Sequence, residues 1–221
     1  MLEPQTLKFI SQLKKHNNKP WFDAHRVQYE AARIDFSNFI QLLIDALQKT
    51  DSSITGTTSK DCIFRINRDI RFSKDKTPYK AHFGASIKKG GKKSIYAGYY
   101  FHMEPGNSFA GGGLWMPEPA ELKKVRQEID YNWENFLSII KDRTFRKIYA
   151  DLYQGGDIKL NSVPKSYDKE NPALEYLKLK CFFSETKFTD EELTKSTLHK
   201  KTLTAFEALQ PLLQFINQSI D

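Results

Sequence analysis

The spacing of the apolar residues switches between helical and alternating along this chain of 221 residues, and those switches constrain its fold more than any other feature. Helical spacing predicts three N-terminal helices, at about residues 4–16, from Pro20, and at about residues 35–49, where Asp35 would be the N-cap. Alternating spacing then predicts four strands and a fifth candidate, at residues 62–67, 82–87, 94–103, 107–115 and 176–184. Helical spacing returns at about residues 118–152 and 195–219. We therefore predict a single α+β domain over residues 1–221, an antiparallel β-meander of four to five strands covered by N-terminal and C-terminal helices.

Membrane and secretory features are absent from the sequence. No apolar stretch approaches the roughly 20 residues that a membrane-spanning helix needs. The N-terminal residues lack the basic and then apolar pattern of a secretory signal. The two cysteines, Cys62 and Cys181, lie far apart in apolar runs, which is typical of buried free thiols in a reducing compartment. We therefore expect a cytoplasmic protein that does not associate with membranes.

Positive charge is concentrated in one segment. Residues 60–93 contain eleven basic and three acidic residues, so their excess alone is larger than the net charge of +7 on the whole chain. The rest of the chain is close to neutral. A positive field confined to one segment predicts an anionic ligand, such as a nucleic acid or a phosphorylated small molecule.

Residues 65–80, called here the basic connector, join two predicted strands and exceed the usual two to five residues of a hairpin loop. Long ordered loops often carry function, and arginine matches phosphate or carboxylate oxygens with its planar fork. Phe72 and Tyr79 are interleaved with the cations, as base stacking on a nucleic acid would require. The alternative is a solvated loop whose arginines pair with Asp61, Asp69 and Asp75. The predicted binding residues of the connector are Arg65, Asn67, Arg68, Arg71, Lys74, Lys76, Tyr79 and Lys80.

A row of glycines is predicted on one face of the sheet. Pairing the strands through their turns aligns Gly84, Gly98 and Gly113, with Gly111 alongside and with Tyr100 and Trp115 as aromatic walls. Because glycine weakens strands, such a row needs a cause. One cause is a ligand lying on the bare backbone, and the other is the close approach of a helix or of large aromatic side chains.

The same face carries His82 and His102, as diagonal neighbours on adjacent strands. Two histidines at this distance could serve as acid and base near neutral pH. A lone strand histidine is more often structural, and no third carboxylate or histidine is evident beside the pair. The sequence therefore predicts no metal site and no cofactor.

Several blocks of the sequence resemble a microbial and fungal family that is known only as domain of unknown function 2461. The resemblance rests on residues 17–22, on the whole basic connector, on residues 111–117 and on the loop at residues 163–172. In that loop the chain has Ser166 and Asn171 where the family usually has glycine and histidine, which puts a chemical role for residue 171 in doubt. The family has no assigned reaction, so the resemblance supports the site and leaves the function open.

Three functions remain open at this point. The first is a binding module for phosphate-bearing partners, including nucleic acid. The second is an enzyme acting on a small phosphate- or carboxylate-bearing substrate, with a connector arginine holding the anion and His82 or His102 moving protons. The third is a scaffold whose basic connector docks an acidic protein partner.

Overall fold

The computed structural model describes residues 1–221, which form ten α-helices and a four-stranded antiparallel sheet in the order β1-β2-β3-β4. The strands are β1 (Phe83–Ile87), β2 (Gly98–Met103), β3 (Ser108–Leu114) and β4 (Phe182–Phe188). The helices are α1 (Pro4–Lys15), α2 (Lys19–Ala24), α3 (Arg26–Leu47), α4 (Ser59–Cys62), α5 (Pro119–Tyr131), α6 (Trp133–Ile140), α7 (Arg143–Tyr149), α8 (Leu174–Leu177), α9 (Asp190–Leu193) and α10 (Leu198–Ile220). The predicted α+β class and the antiparallel meander are confirmed. No helix combines the length and the apolar character that a membrane span requires.

Contacts group the residues into two compact units. The first unit comprises Met1–Lys92, Tyr100–Ala110 and Lys187–Thr204. The second unit comprises Lys93–Tyr99, Gly111–Thr186 and Ala205–Asp221. The single domain proposed from the sequence stays a prediction, and the two units are described separately below.

In the first unit, α3 packs its apolar stripe on the sheet. The ring centroids of Phe36 and Phe83 lie 5.2 Å apart, and those of Phe39 and Phe101 lie 5.0 Å apart. All four side chains are buried, as helical spacing on α3 and alternation on β1 and β2 predict. Helix α3 therefore supplies the apolar support for β1, which His82 directly precedes, and for β2, which carries His102.

The predicted start of α3 at Asp35 is wrong, since the helix begins nine residues earlier, at Arg26. Asp35 lies inside the helix and does not cap it. Its carboxylate accepts hydrogen bonds from the backbone amide of Glu3 at 2.9 Å and from the hydroxyl of Thr6 at 2.6 Å. Asp35 therefore bonds the first turn of α1 and does not cap its own helix. The spacing of residues near Asp35 gives no sign of this long-range contact.

In the second unit, α10 packs on the first residues of β2. The rings of Tyr99 and Phe206 lie 5.1 Å apart, and the hydroxyl of Tyr149 donates to the carbonyl of Ala205 at 2.6 Å. The side chain of Asn217 bonds both backbone groups of Ala97, at 2.8 and 3.2 Å. Helix α10 thereby supplies hydrogen-bond partners to the buried hydroxyl of Tyr149 and to the buried backbone of Ala97, which precedes β2.

Two predicted strands are wrong in part. Residues 62–67 form no strand, because a capping box between Thr58 and Asp61 starts the short helix α4, and only isolated bridges follow. The segment at residues 176–184 begins in α8, and β4 starts only at Phe182. Both cysteines are buried and free, as predicted.

Candidate functional site

The two ends of the basic connector are fixed to each other and to the N-terminal helices. Asn67 and Tyr79 form an antiparallel bridge, and the side chain of Asn17 bonds the amide and the carbonyl of Tyr79 at 3.0 and 2.8 Å. The Tyr79 ring stacks on Phe22 with centroids 4.0 Å apart, and the residue is 7% exposed. Tyr79 thus anchors the connector, and its ring does not face solvent as base stacking would require.

Two of the predicted arginines already bind carboxylates of the connector. The guanidinium of Arg68 donates to the carboxylate of Asp75 and to the hydroxyl and the carbonyl of Thr77. Arg71 holds Asp69 with two hydrogen bonds, of 3.0 and 2.7 Å. For these two arginines the structure agrees with the alternative that the sequence left open, a loop whose cations are paired internally.

The remaining cations of the connector differ in their surroundings. Lys76 donates to the carbonyl of Ile70 at 3.0 Å, and Lys74 is exposed without a hydrogen bond or an ion pair. Arg65 is exposed and makes no ion pair. Lys80 is half-buried, with its ammonium 5.3 Å from the centre of the Phe64 ring and with no carboxylate bound. Burial, and then the neighbouring charge of Arg65, lower the pKa of Lys80.

A cleft of about 480 Å³ lies beside the connector, between α2, α3 and the bridge at Asn67. Its three cations face two carboxylates: Lys19 pairs with Asp23, and Arg26 and Arg33 both lie within ion-pair distance of Glu30. This cleft is therefore nearly balanced in charge, unlike the surroundings of Arg65 and Lys80.

The glycines of the sheet are explained by close approach. A Cβ atom on Gly84 would lie 2.5 Å from the hydroxyl of Tyr100. In the second unit, a Cβ atom on Gly111 or Gly113 would overlap the backbone of β4, and Gly113 has a φ of +135° that L-residues rarely adopt. At these three glycines, where the sequence predicts room for a ligand, other protein atoms fill the space.

Two further residues of the predicted row also belong to the second unit. The carbonyl oxygen of Gly98 would lie 2.6 Å from a Cβ atom on Gly112, so these two backbones are in close contact. Trp115 is 59% exposed and touches Phe183 edge-on, with centroids 5.2 Å apart. Neither residue belongs to the unit that contains the histidines.

The two predicted histidines lie side by side in the first unit. His82 immediately precedes β1, His102 lies on β2, and their ring centroids are 4.4 Å apart. His102 is 8% exposed and stacks on Phe109, with centroids 4.8 Å apart and planes 13° from parallel. The hydroxyl of Tyr100 lies 3.3 Å from His102 Nδ1. The His82 imidazole makes no hydrogen bond with another protein group.

Glu104 completes this group with a third donor that the sequence analysis missed. Its Oε2 lies 3.2 Å from His102 Nε2, and its Oε1 binds the ammonium of Lys14 at 2.9 Å. The donor atoms of His82, His102 and Glu104 all lie within 4.8 Å of one another. Alternation along β2 could have revealed Glu104, which follows His102 by two residues, whereas Lys14 is 90 residues away and gives no signal.

The surroundings of this group set its charges near neutral pH. Burial, with the charges of His102 and Lys80, lowers the pKa of His82 to about 4. Burial also lowers the pKa of His102, against the opposite effect of Glu104. Burial alone would raise the pKa of Glu104, but hydrogen bonds from Lys14, His102 and Asn107 lower it. Two neutral imidazoles therefore lie beside an ionised carboxylate.

Comparison with known proteins gives a family and no function. Neither a curated protein nor a solved structure is detectably similar to the chain. One family model, described as "Conserved hypothetical protein (DUF2461)", matches residues 5–215, which include both histidines, Glu104 and the whole basic connector. The resemblance seen in the sequence is confirmed, and the chain belongs to the DUF2461 family of conserved hypothetical proteins.

Proposed function

We propose that the protein binds a small phosphate- or carboxylate-bearing ligand at Arg65 and Lys80, beside His82. The observation that carries this proposal is the half-buried ammonium of Lys80, which has a second cation next to it and no carboxylate bound. The Asp69 carboxylate, whose pKa is lowered by Arg71 and to a smaller extent by Arg65, is already held by two of the three guanidinium nitrogens of Arg71.

A half-buried ammonium beside a second cation is electrostatically unfavourable in the absence of a bound anion. Removing an ammonium from water costs free energy, and a like charge nearby adds to that cost. The pKa of Lys80 is lowered for both reasons. A bound anion would reverse the second effect and would accept charge-assisted hydrogen bonds from both side chains. Arg65 would add a bidentate contact to phosphate or carboxylate oxygens.

The contacts of the connector favour a small ligand over a nucleic acid. A nucleic-acid surface uses several free cations and exposed aromatic rings. Here Arg68 and Arg71 are bound to carboxylates, and the Tyr79 ring is buried. Phe72, which is 96% exposed, is the one aromatic side chain of residues 65–80 that is free to stack on a base.

An enzyme acting on that ligand is the second candidate, and the adjacent histidines favour it. His82 follows Lys80 by two residues, and burial, His102 and then the charge of Lys80 lower its pKa, so we expect a ligand held by the cation to lie close to the imidazole. His102 bonds Glu104 and Tyr100, an arrangement that can orient an imidazole for proton transfer. Turnover, unlike binding, would require His102.

The proposal is tested by calorimetric titration of the full chain with inorganic phosphate and with acetate, in metal-free buffer. We expect Arg65→Ala and Lys80→Met each to weaken phosphate binding about tenfold, the equivalent of one charge-assisted contact. Lys74→Ala is the matched control, since it removes one positive charge of the connector from an exposed side chain that pairs with no carboxylate, and its affinity should equal that of the wild type.

A parallel titration with a single-stranded oligonucleotide separates the two partner classes. Oligonucleotide binding that is steep in salt and is weakened by Arg71→Ala and Phe72→Ala would replace the small-ligand proposal with a nucleic-acid surface. Phosphate binding that survives both Arg65→Ala and Lys80→Met would refute the assigned site.

A further inference from the structure

We propose that His82, His102 and Glu104 form a binding site for one divalent first-row transition-metal ion, Zn²⁺ being the prototype. This inference is independent of the proposed anion site, because it rests on different residues. The three donor atoms lie within 4.8 Å of one another, and all come from the first unit.

The spacing of the donors suits a metal ion. Ligand nitrogens and oxygens lie about 2.0–2.2 Å from Zn²⁺, so neighbouring ligands of a tetrahedral site are separated by about 3.3 Å. His102 Nε2 and Glu104 Oε2 are 3.2 Å apart. The donor nitrogen of His82 lies within 4.8 Å of the other two donor atoms, so that side chain has to move closer to them to complete a tetrahedral set.

The chemistry of the donors selects the class of metal. Two imidazole nitrogens and one carboxylate oxygen suit Zn²⁺, Fe²⁺, Co²⁺ or Ni²⁺, whereas Ca²⁺ and Mg²⁺ prefer oxygen ligands alone. Three protein ligands leave at least one position open for water or a substrate atom, which is the pattern of catalytic zinc sites. The site therefore differs from a closed structural zinc centre.

Neighbouring side chains hold two of the three proposed ligands, His102 and Glu104, in orientation. The Tyr100 hydroxyl lies on Nδ1 of His102, which leaves Nε2 to face Glu104 and the metal. Lys14 binds the other oxygen of the Glu104 carboxylate. Partners of this kind are typical around metal-binding histidines and carboxylates.

A metal-free alternative explains only part of the group. In that alternative Tyr100 donates to His102, which donates to Glu104, and the three form a chain of hydrogen bonds. His82 has no place in this chain of hydrogen bonds, because its imidazole makes none with another protein group. A half-buried imidazole that has no protein partner and lies within 4.8 Å of two other donors fits the third ligand of a shared ion.

The test uses the full chain, stripped with a chelator and titrated with Zn²⁺ by calorimetry and with Co²⁺ by visible absorption. We expect one equivalent of metal per chain, with d–d bands of Co²⁺ bound by nitrogen and oxygen. His82→Asn and Glu104→Gln should each weaken binding about 100-fold or more, and Tyr100→Phe about tenfold, as measured for outer contacts in other sites. His16→Asn, which removes an exposed imidazole outside the group, is the control and should leave affinity unchanged.

Circular dichroism of each variant shows that the chain is folded, so that loss of metal is not loss of structure. Absence of a saturable equivalent in the wild type would overturn the proposal. Metal binding that His82→Asn and Glu104→Gln leave unchanged would also overturn it and would assign the group to the hydrogen-bonded chain. Neither result bears on phosphate binding by Arg65 and Lys80, which is measured without metal.

Discussion

The packing of Tyr100 over Gly84 gives a quantitative prediction about the candidate metal site. A Cβ atom on Gly84 would lie 2.5 Å from the Tyr100 hydroxyl and 3.2 Å from the ring carbon that carries it. That hydroxyl also lies 3.3 Å from His102. Gly84→Ala therefore forces the tyrosine away from the histidine, and the cost should depend on the hydroxyl itself.

The magnitudes follow from these contacts. Overpacking of a buried site costs about 1–3 kcal/mol, and the smaller entropy of unfolded alanine offsets about 0.4–1 kcal/mol. We expect Gly84→Ala to lower the free energy of unfolding by about 1–2 kcal/mol. Tyr100→Phe removes one hydrogen bond and should cost about 0.5–1.5 kcal/mol. In the double variant the worst overlap is gone, so its loss should be smaller than the sum of the two single losses.

The assay is a double-mutant cycle by urea unfolding of the four proteins. Coupling of about 0.5–1.5 kcal/mol in the favourable direction is expected, because the same hydroxyl causes both the overlap and the hydrogen bond. Losses that add within about 0.3 kcal/mol would refute the reasoning, since the Tyr100 hydroxyl would then not occupy the space in front of Gly84.

Three further predictions concern other parts of the chain. Gly113→Ala should prevent folding or cost more than about 4 kcal/mol by urea unfolding, because its Cβ would overlap the backbone at Phe182 at a φ of +135°, and a loss below about 1 kcal/mol would contradict this packing. Burial raises the pKa of Cys62 to about 12 and also raises that of Cys181, so both thiols stay protonated at pH 8 and should resist iodoacetamide in the folded protein while reacting in urea. Rapid labelling of native Cys62, read by mass spectrometry, would oppose this. Zn²⁺ should strengthen sulfate binding about tenfold by titration, because a dication beside Lys80 attracts the same anion, and by linkage sulfate should strengthen Zn²⁺ binding by the same factor. Glu104→Gln should abolish this coupling, and equal sulfate affinity with and without Zn²⁺ would show that the two sites do not interact.

Local spacing was sufficient to predict the elements that pack on the core. The stripe of α3 and the alternation of β1 to β3 were recognised because burial of one face repeats at the period of the element. Residues 62–67 were misassigned because Cys62, Phe64 and Ile66 also alternate. The better signal was Thr58 followed three residues later by Asp61, a pattern of helix starts that satisfies two backbone amides.

The sequence predicts the candidate site only where its residues lie on one strand or on neighbouring paired strands. Pairing of neighbouring strands placed His82 beside His102, and their adjacency in the structure agrees with that. Glu104 lies two residues after His102 and was within reach of the same argument. Lys14 was not, because its contact with Glu104 depends on how α1 packs, and packing between distant elements leaves no periodic trace in the sequence.

Counting the charged residues of the sequence and examining their ion pairs in the structure lead to different conclusions about the ligand. The surplus of cations in residues 60–93 predicts attraction for anions, but it assigns equal weight to every arginine and lysine. In the fold these cations are not equivalent. Asp75 pairs with Arg68 and Asp69 pairs with Arg71, whereas no carboxylate binds Arg65 or Lys80. The available positive charge is therefore smaller and more local than the count implies. Lys80 precedes His82 by two residues, and its charge contributes to the lowered pKa of that imidazole, so the proposed anion site depends on a few neighbouring residues and not on the total charge of the segment.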